Sequence, residues 1–318
     1  MAQPSLADVH ADQPLTDFSS AAFLDPGVFK WREFAPLKPV DKQSNKYYTF
    51  NRGDFFRTEA KLRAPGTKAA LRDFKLSSDT YYCDRYAVAH AISEMELAQA
   101  DPGIDLEEST AAVLAQDLNI RAEINAATAY LNTASVWGTD ASPATVWSDA
   151  ASDPIGELTT GIKTIQKAIG RRPNTLLLGA DVFYDGLVNH PDILARLADN
   201  EARLIDEAFI GRLLKVPKVI VMAAPYTSSQ EGLTDTFAFI GGKHAVLAYV
   251  DPAPGLKTPT AAVTFSWAGL LGAAASGIRT KRMMLPETDA LPLIESDTCL
   301  DFKVVSSVAG YRIASCVT

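Results

Sequence analysis

The side chains able to act as bases, nucleophiles or metal ligands do not recur at spacings that build a site. Four histidines, His10, His90, His190 and His244, stand singly. None has a cysteine, histidine or carboxylate at a metal-ligand spacing on one face; Asp192 follows His190 closely, but His190-Pro191-Asp192 reads as a helix stop and restart. Gly241-Gly242-Lys243-His244 resembles the end of a phosphate loop, yet it lacks the earlier glycine, has no Ser or Thr after the lysine, and falls within a strand. Neither a G-x-S-x-G elbow, nor an H-E-x-x-H pair, nor a dinucleotide-binding glycine fingerprint is present. The 38 acidic residues offer no acid/base pair that spacing alone can single out. Cys83, Cys299 and Cys316 are odd in number and widely spaced, which points to reduced thiols; a buried contact between two of them is the alternative. No catalytic residue, cofactor or metal follows from these patterns.

The chemistry the sequence does offer is ion pairing. Between Lys46 and Lys75 stand eight basic residues, among them Arg52, Arg57, Lys61, Arg63, Lys68 and Arg72, against three acidic ones, a net of +5 inside a chain of net −8. Aromatic pairs flank this stretch, Tyr47/Tyr48 and Tyr81/Tyr82, and read as two strands able to lie side by side, with Gly53, Pro65 and Gly66 as turn points. A long basic hairpin without a core of its own needs an outside surface to rest on, and a neighbouring copy of the chain would provide one. Ser93–Glu108 holds Glu94, Glu96, Glu107 and Glu108 and no basic residue. Such a run is ordinarily a solvated face; here it is also a natural counter-surface for the basic loop.

The elements that must position these charges follow from periodicity. Residues 1–45 read as an extended arm, because Pro4, Pro14, Pro26, Pro36 and Pro39 prevent a long helix; one helical turn fits Leu15–Leu24. Phe29, Trp31 and Phe34 must pack on something, either the chain's own body or another subunit. Tyr86–Ile92 reads as strand. Asp105 and Glu108 resemble a capping box, and Leu106, Val113, Ile120 and Ala127, with Leu114, Leu118, Ile124 and Leu131, mark one helix over 105–132, roughly 40 Å long. Val136–Asp153 reads as a linker anchored by Trp137 and Trp147. A compact α/β unit follows: a helix from Asp153-Pro154 to Gly170 with Ile155, Leu158, Ile162, Ile165 and Ile169 buried, a strand at Thr175–Leu178, helices at Asp181–His190, Ile193–Leu197 and Ile205–Leu214, and strands at Lys218–Ala223 and Thr236–Val250, the last broken at Gly241-Gly242. The final third alternates as strand at Ala262–Trp267, Gly277–Leu285, Cys299–Val308 and Tyr311–Cys316, with a bend at Ser306/Ser307 and Gly310.

With 318 residues, 47% hydrophobic and 21% charged, the chain is globular. Its acidic pI of about 5.1 argues against a dedicated nucleic-acid binder. MAQPSLADVHADQPL lacks the basic start and apolar run of a signal peptide, and no window is as long and apolar as a membrane span.

Several stretches resemble one family: VDKQSNKYYTFNRGDFFRTEAKLRAPGTKA and YYCDRYAVAHAISE, then VWSDAASDPI, PNTLLLGADVFYDGLVNHPDILARL and FIGGKHAVLAYVDPAPGLKTPTAAVTFSW. Together they span nearly the whole chain and are similar to the major capsid proteins of tailed bacteriophages. The resemblance implies an α+β, HK-ninety-seven-like fold: an N-arm at 1–45, an extended β-hairpin loop at 46–85, a peripheral domain at 86–150 with its spine helix at 105–132, an axial α/β domain at 151–260, and closing strands of both at 261–318. It implies a structural subunit rather than an enzyme, assembling into hexamers and pentamers of an icosahedral head that encloses double-stranded DNA without binding it specifically. Portal and scaffolding proteins, optionally decoration proteins, would be its partners, with assembly in the host cytoplasm, the virion as destination and no membrane contact. Some relatives cross-link a loop lysine to a C-terminal asparagine; no asparagine follows Asn200 here, so that chemistry does not carry over. The arm leaves no room for a fused scaffolding segment, so a separate scaffolding protein is expected. The rival readings are the shell of a cellular nanocompartment, which shares the fold, and an α/β enzyme built on the middle unit.

Overall fold

The computed structural model describes residues 26–50, 56–58, 60, 62, 65–66, 68, 76–99, 106–196, 205–229, 232–253, 258–271, 277–285 and 291–318. A short helix α1 (Trp31–Phe34) leads into β1 (Leu37–Val40); the strands β2 (Ser44–Phe50) and β3 (Leu76–Tyr82) precede β4 (Asp84–Ala91). Next come α2 (Glu94–Gln99), α3 (Leu106–Ala127), β5 (Asp140–Ala141), α4 (Pro154–Ile169), β6 (Thr175–Gly179), α5 (Pro191–Leu194) and α6 (Glu207–Leu214). The remainder holds β7 (Lys218–Met222), β8 (Pro225–Thr227), β9 (Phe237–Phe239), β10 (Ala245–Ala248), β11 (Ala262–Trp267), α7 (Ala268–Leu271), β12 (Ile278–Leu285), β13 (Leu291–Val304) and β14 (Gly310–Ile313).

Two five-stranded sheets carry the architecture. In the first, β13 is the hub: it pairs antiparallel with β4, β12 and β11, and β11 pairs parallel with β1. The second runs β5-β14-β10-β6-β7, with β6, β10 and β14 buried throughout. Buried strands of this kind read as unbroken apolar runs rather than alternations, which is why Thr175–Leu178 is visible in the sequence.

The long helix begins at Leu106 and stays α-helical to Ala127, then closes in one π-turn, Thr128–Asn132; the Asp105 cap lies outside the described residues. Its buried line is Leu114, Leu118, Ala122 and Ala126, a run of i, i+4 steps. Val113, expected in the stripe, is exposed. Adjacent residues stand about 100° apart around an α-helix, so Val113 falls off the face on which Leu114 packs against Ile92 and Ile294. The far end of the π-turn is tied down by Arg312 of β14, itself buried, which donates to the carbonyls of Leu131 (2.6 Å) and Asn132 (3.1 Å). A cation there suits the negative end of a helix.

Of the two settings for the arm aromatics, the structure places Trp31 and Phe34 in the chain's own core. The cause is Glu123 of α3, fully buried, whose carboxylate accepts the Lys30 amide at 3.0 Å and the Trp31 amide at 2.7 Å. Phe34 packs on Tyr130 and Trp31 sits edge-on to Phe302. The helical turn expected at Leu15–Leu24 lies outside the described residues.

In the second sheet's layer, α4 is capped as its sequence predicts: Asp153 accepts the Gly156 amide at 2.8 Å, Pro154 follows, and Gly170 ends the helix at φ +69°. The Val136–Asp153 stretch is fastened to the core, because Trp137 donates to the Tyr130 carbonyl and Trp147 to Glu157. The helix expected at Asp181–His190 is present as a π-helix, Val182–Val188. Thr236–Val250 is more than one broken strand. Its halves join different sheets, β9 pairing with β8 and β10 with β6 and β14. The turn between them brings the Gly242 carbonyl so near Gly179 that a Cβ there would clash, and Gly242 itself sits at φ +61°. It is a backbone crossing, not a phosphate cradle. Strand β13 begins at Leu291, eight residues before the expected strand at Cys299, because β4 and β12 flank its first half. The bend expected near Ser306 is a single 3-10 turn, Ser307–Ala309, that carries the chain from β13 to β14.

All three cysteines are buried and unpaired. Cys299 donates its thiol to the Cys83 carbonyl, so these two do meet, without a bond between sulfurs. Burial pushes Cys83 and Cys316 up to about 12 and Cys299 up to about 11, and thiols held protonated are poor nucleophiles.

Burial likewise pushes the Glu123 carboxyl up to about 7 from 4.5, against the pull of the Lys30 and Trp31 amides. The folded chain therefore holds this proton more tightly than the unfolded chain, and stability falls as pH rises from 4.5 towards 7. Glu123→Gln should remove that slope. Urea denaturation of the free subunit at about pH 5 and about pH 8 should show the wild-type-minus-variant difference shifting by on the order of 3 kcal/mol; a constant difference would contradict the assignment.

Candidate interaction surfaces

The two aromatic pairs of the hairpin do come together. β2 and β3 are antiparallel, with Tyr47 opposite Asp79 and Tyr81 opposite Asn45. Alternation then splits the tyrosines. Tyr47 and Tyr81 turn inward onto Phe265 of β11, at ring separations of 5.7 and 4.6 Å, whereas Tyr48 and Tyr82 stay exposed. The Tyr47 hydroxyl donates to Asp79 (2.8 Å), and burial together with that carboxylate raises its pKa. Asp301 of β13 accepts the Tyr82 amide at 3.0 Å. Val263, Phe265, Cys83, Cys299 and Tyr81 form a small core between hairpin and sheet, so the hairpin root is mounted on the face of the first sheet that points away from α3.

Beyond the root, Arg57 and Lys68 are exposed, as are Phe56 and Leu62. The Phe56 ring lies over Gly170, 3.2 Å from where a Cβ would stand, so part of the excursion reaches the end of α4. Arg52, Lys61, Arg63 and Arg72 lie outside the described residues.

The acidic stretch has local work. Ser93 and Glu96 form a capping box at the start of α2: Ser93 Oγ accepts the Glu96 amide (3.2 Å) and the Glu96 carboxylate accepts the Ser93 amide (2.8 Å). These hydrogen bonds hold Glu96 below its ordinary pKa. Glu107 pairs with Arg282 of β12 at 2.7 Å, and Glu108 stands exposed in the first turn of α3. The side chain of Glu94 lies outside the described residues.

A charge ladder on the first sheet escaped the sequence reading. Asp297 of β13 is fully buried and accepts from Arg279 of β12 (2.7 Å) and Arg85 of β4 (2.9 Å); Glu295 takes Arg85 (3.0 Å) and Lys281 (2.9 Å). Burial opposes ionisation of Asp297, but the two guanidinium groups outweigh it and hold its pKa below the usual carboxylate value. The signal was present in Arg279 and Lys281 alternating opposite Glu295 and Asp297.

His190 and His244 have partners within the fold. His190 is buried, its Nδ1 accepting the Asp192 amide and its Nε2 lying 3.0 Å from Ser152 Oγ. With Nδ1 an acceptor, Nε2 carries the proton and donates to Ser152, the reverse of what a general base needs. Ser152 in turn donates to the Asp149 carbonyl. His244 accepts the Ser315 amide, and burial lowers it to about 4. Among the described residues no group of acidic, cysteine and histidine side chains could hold a metal ion, and no helix is long and apolar enough to cross a membrane.

The root contacts differ in weight. Phe265→Ala removes the ring on which both tyrosines rest and should cost about 3–5 kcal/mol in urea denaturation. Asp79→Ala removes exposed contacts to Tyr47, the Thr80 amide and Lys303 and should cost less than about 1 kcal/mol.

No protein-family model matches the chain. A major capsid protein of Burkholderia phage BcepMu is 26% identical over 227 residues, 70% of this chain and 71% of that protein. Among solved structures, a phage-related protein of Bordetella bronchiseptica RB50 superposes with a TM-score of 0.68 at 21% identity, covering 97% of this chain and 98% of its own. The mature capsid of bacteriophage PhiM1 superposes with a TM-score of 0.55 at 11% identity, over 89% of this chain and 86% of that one. The mounted hairpin, the long helix under the first sheet and the buried second sheet together make the HK-ninety-seven-like capsid fold, and in sequence the chain resembles a phage major capsid protein.

Proposed function

We infer that this chain is a major capsid protein, a structural subunit that self-assembles into the icosahedral head of a phage. One observation carries the reading: the capsid fold extends over nearly the full length of the chain, and the curated relative aligned across most of it is itself a phage major capsid protein. That relative favours a phage head over a nanocompartment shell. The role assigned is structural, resting on burial and on contacts between copies, with no catalytic step.

In this reading residues 1–45 are the N-arm, 46–85 the extended loop, 86–150 the peripheral domain, 151–260 the axial domain, and 261–318 supply strands to both. Hexamers and pentamers close the shell around double-stranded DNA, with portal and scaffolding proteins as partners, assembly in the host cytoplasm and the virion as destination. The basic loop, with Arg57 and Lys68 exposed, reaches a neighbouring subunit. The acidic stretch that carries Glu94, Glu96, Glu107 and Glu108 is its counter-surface on that neighbour. A net negative body keeps a shell from gripping packaged DNA, because polyanion affinity follows neutralising cations.

Electron microscopy of the purified protein, with its scaffolding partner where assembly requires one, should show closed icosahedral particles; a persistent monomer at high concentration would sink the reading. Deleting 52–75 should leave a folded, soluble subunit, with the far-ultraviolet circular dichroism of the parent, that no longer forms shells. Normal shells from that deletion would remove the loop's role.

A further inference from the structure

Among the described residues, the strands β8 and β9 form a two-stranded sheet that pairs with no other strand. All three residues of β9 are exposed, and two of them are phenylalanines, Phe237 (71% exposed) and Phe239 (43%). The connecting turn adds Leu233 (67%) and an exposed Asp235. An isolated hairpin with an apolar face is marginal in water, and soluble monomers seldom leave adjoining large apolar groups uncovered. A second exposed set follows β6: Tyr184 on the π-helix, then Leu194 and Arg196 at the end of α5. Because β6 and β7 are parallel and end in register at Gly179 and Met222, the two sets leave the same end of the second sheet.

We propose that this end of the sheet is a contact between copies of the chain, in which the β8–β9 hairpin of one copy seats on the Tyr184–Leu194–Arg196 surface of the next. The occupant is argued from complementarity. One set is apolar with an acidic residue at its tip, the other is apolar with a basic residue beside it, and a single chain carries both. A contact of a patch with itself would oppose Asp235 to Asp235, whereas head-to-tail pairing opposes Asp235 to Arg196 and generates rings. The proposal rests on the shell-subunit reading and adds to it the surface through which neighbours meet.

The test uses the full-length protein under conditions in which the unmodified chain forms shells. Asp235→Arg and Arg196→Asp should each lower the assembled fraction, read by sedimentation velocity, at least roughly tenfold, and the double exchange should restore it. Phe237→Ser with Phe239→Ser should also abolish assembly while the melting temperature stays within a few degrees of the parent, both side chains being exposed. Mixing Asp235→Cys with Arg196→Cys protein should give disulfide-linked dimers, which can form only between copies because the native thiols are buried. Shells that form normally in all these variants, with no cross-link in the mixture, would overturn this contact and leave the shell reading intact. An unmodified chain that never assembles would sink both.

Discussion

Alternation along β13 is the constraint on which the rest of the molecule hangs. Successive side chains of a strand face opposite ways. Ile294 therefore meets Leu114, and Phe302 meets Trp31 and Tyr130, while Glu295, Asp297, Cys299 and Asp301 look outward to the charge ladder and the hairpin root. A slip of one residue would exchange the two sets, driving carboxylates beneath the long helix and taking the seat from the hairpin. The buried Asp297 guards against this. Its two guanidinium partners come from strands on either side of β13, and leaving such a carboxylate without them is strongly destabilising.

The second theme is how the chain keeps two buried ions without pairing them to each other. Glu123 and Arg312 are both sequestered, yet each is satisfied mainly by backbone groups. Glu123 gathers the amides at the start of α1 and so fixes where the arm meets the long helix. Arg312 gathers the carbonyls left over where the π-turn ends, groups that have no partner within the helix itself. Between them they join the arm, α3 and the second sheet into one hydrophobic core, and the aromatic side chains near them need supply only packing.

Elements with local signals were legible in the sequence. Asp153-Pro154 and Gly170 delimit α4 because caps act within a few residues, and Tyr47/Tyr48 and Tyr81/Tyr82 disclose the hairpin because alternation is itself local. What could not be read was whatever a distant partner decides. Val113 and Leu114 are equally apolar, and only the placement of β4 and β13 covers one and leaves the other in water. Nothing near residue 241 says that β9 and β10 belong to different sheets. The acidic run was legible as charge but not as employment: Glu96 finds its partner three residues back, a box overlooked beside the similar spacing at Asp105 and Glu108, while Glu107 finds Arg282 across the fold. The arm aromatics could not be placed because Glu123, the acceptor that decides their position, is one carboxylate among many.

The strands that complete both sheets are encoded after the strands they join. Among the described residues β4 is joined within its sheet only to β13, as is β12, and β5 only to β14, which also delivers the guanidinium that finishes the π-turn. Most of the polypeptide must therefore leave the ribosome before either sheet can close, a topology of long-range contacts that folds slowly. A product whose translation halts before residue 291 leaves β4, β12 and β5 without their partners and has no hub to gather the first sheet. The order of the strands thus acts as a proofreader, withholding a competent building block until β13 and β14 have been made.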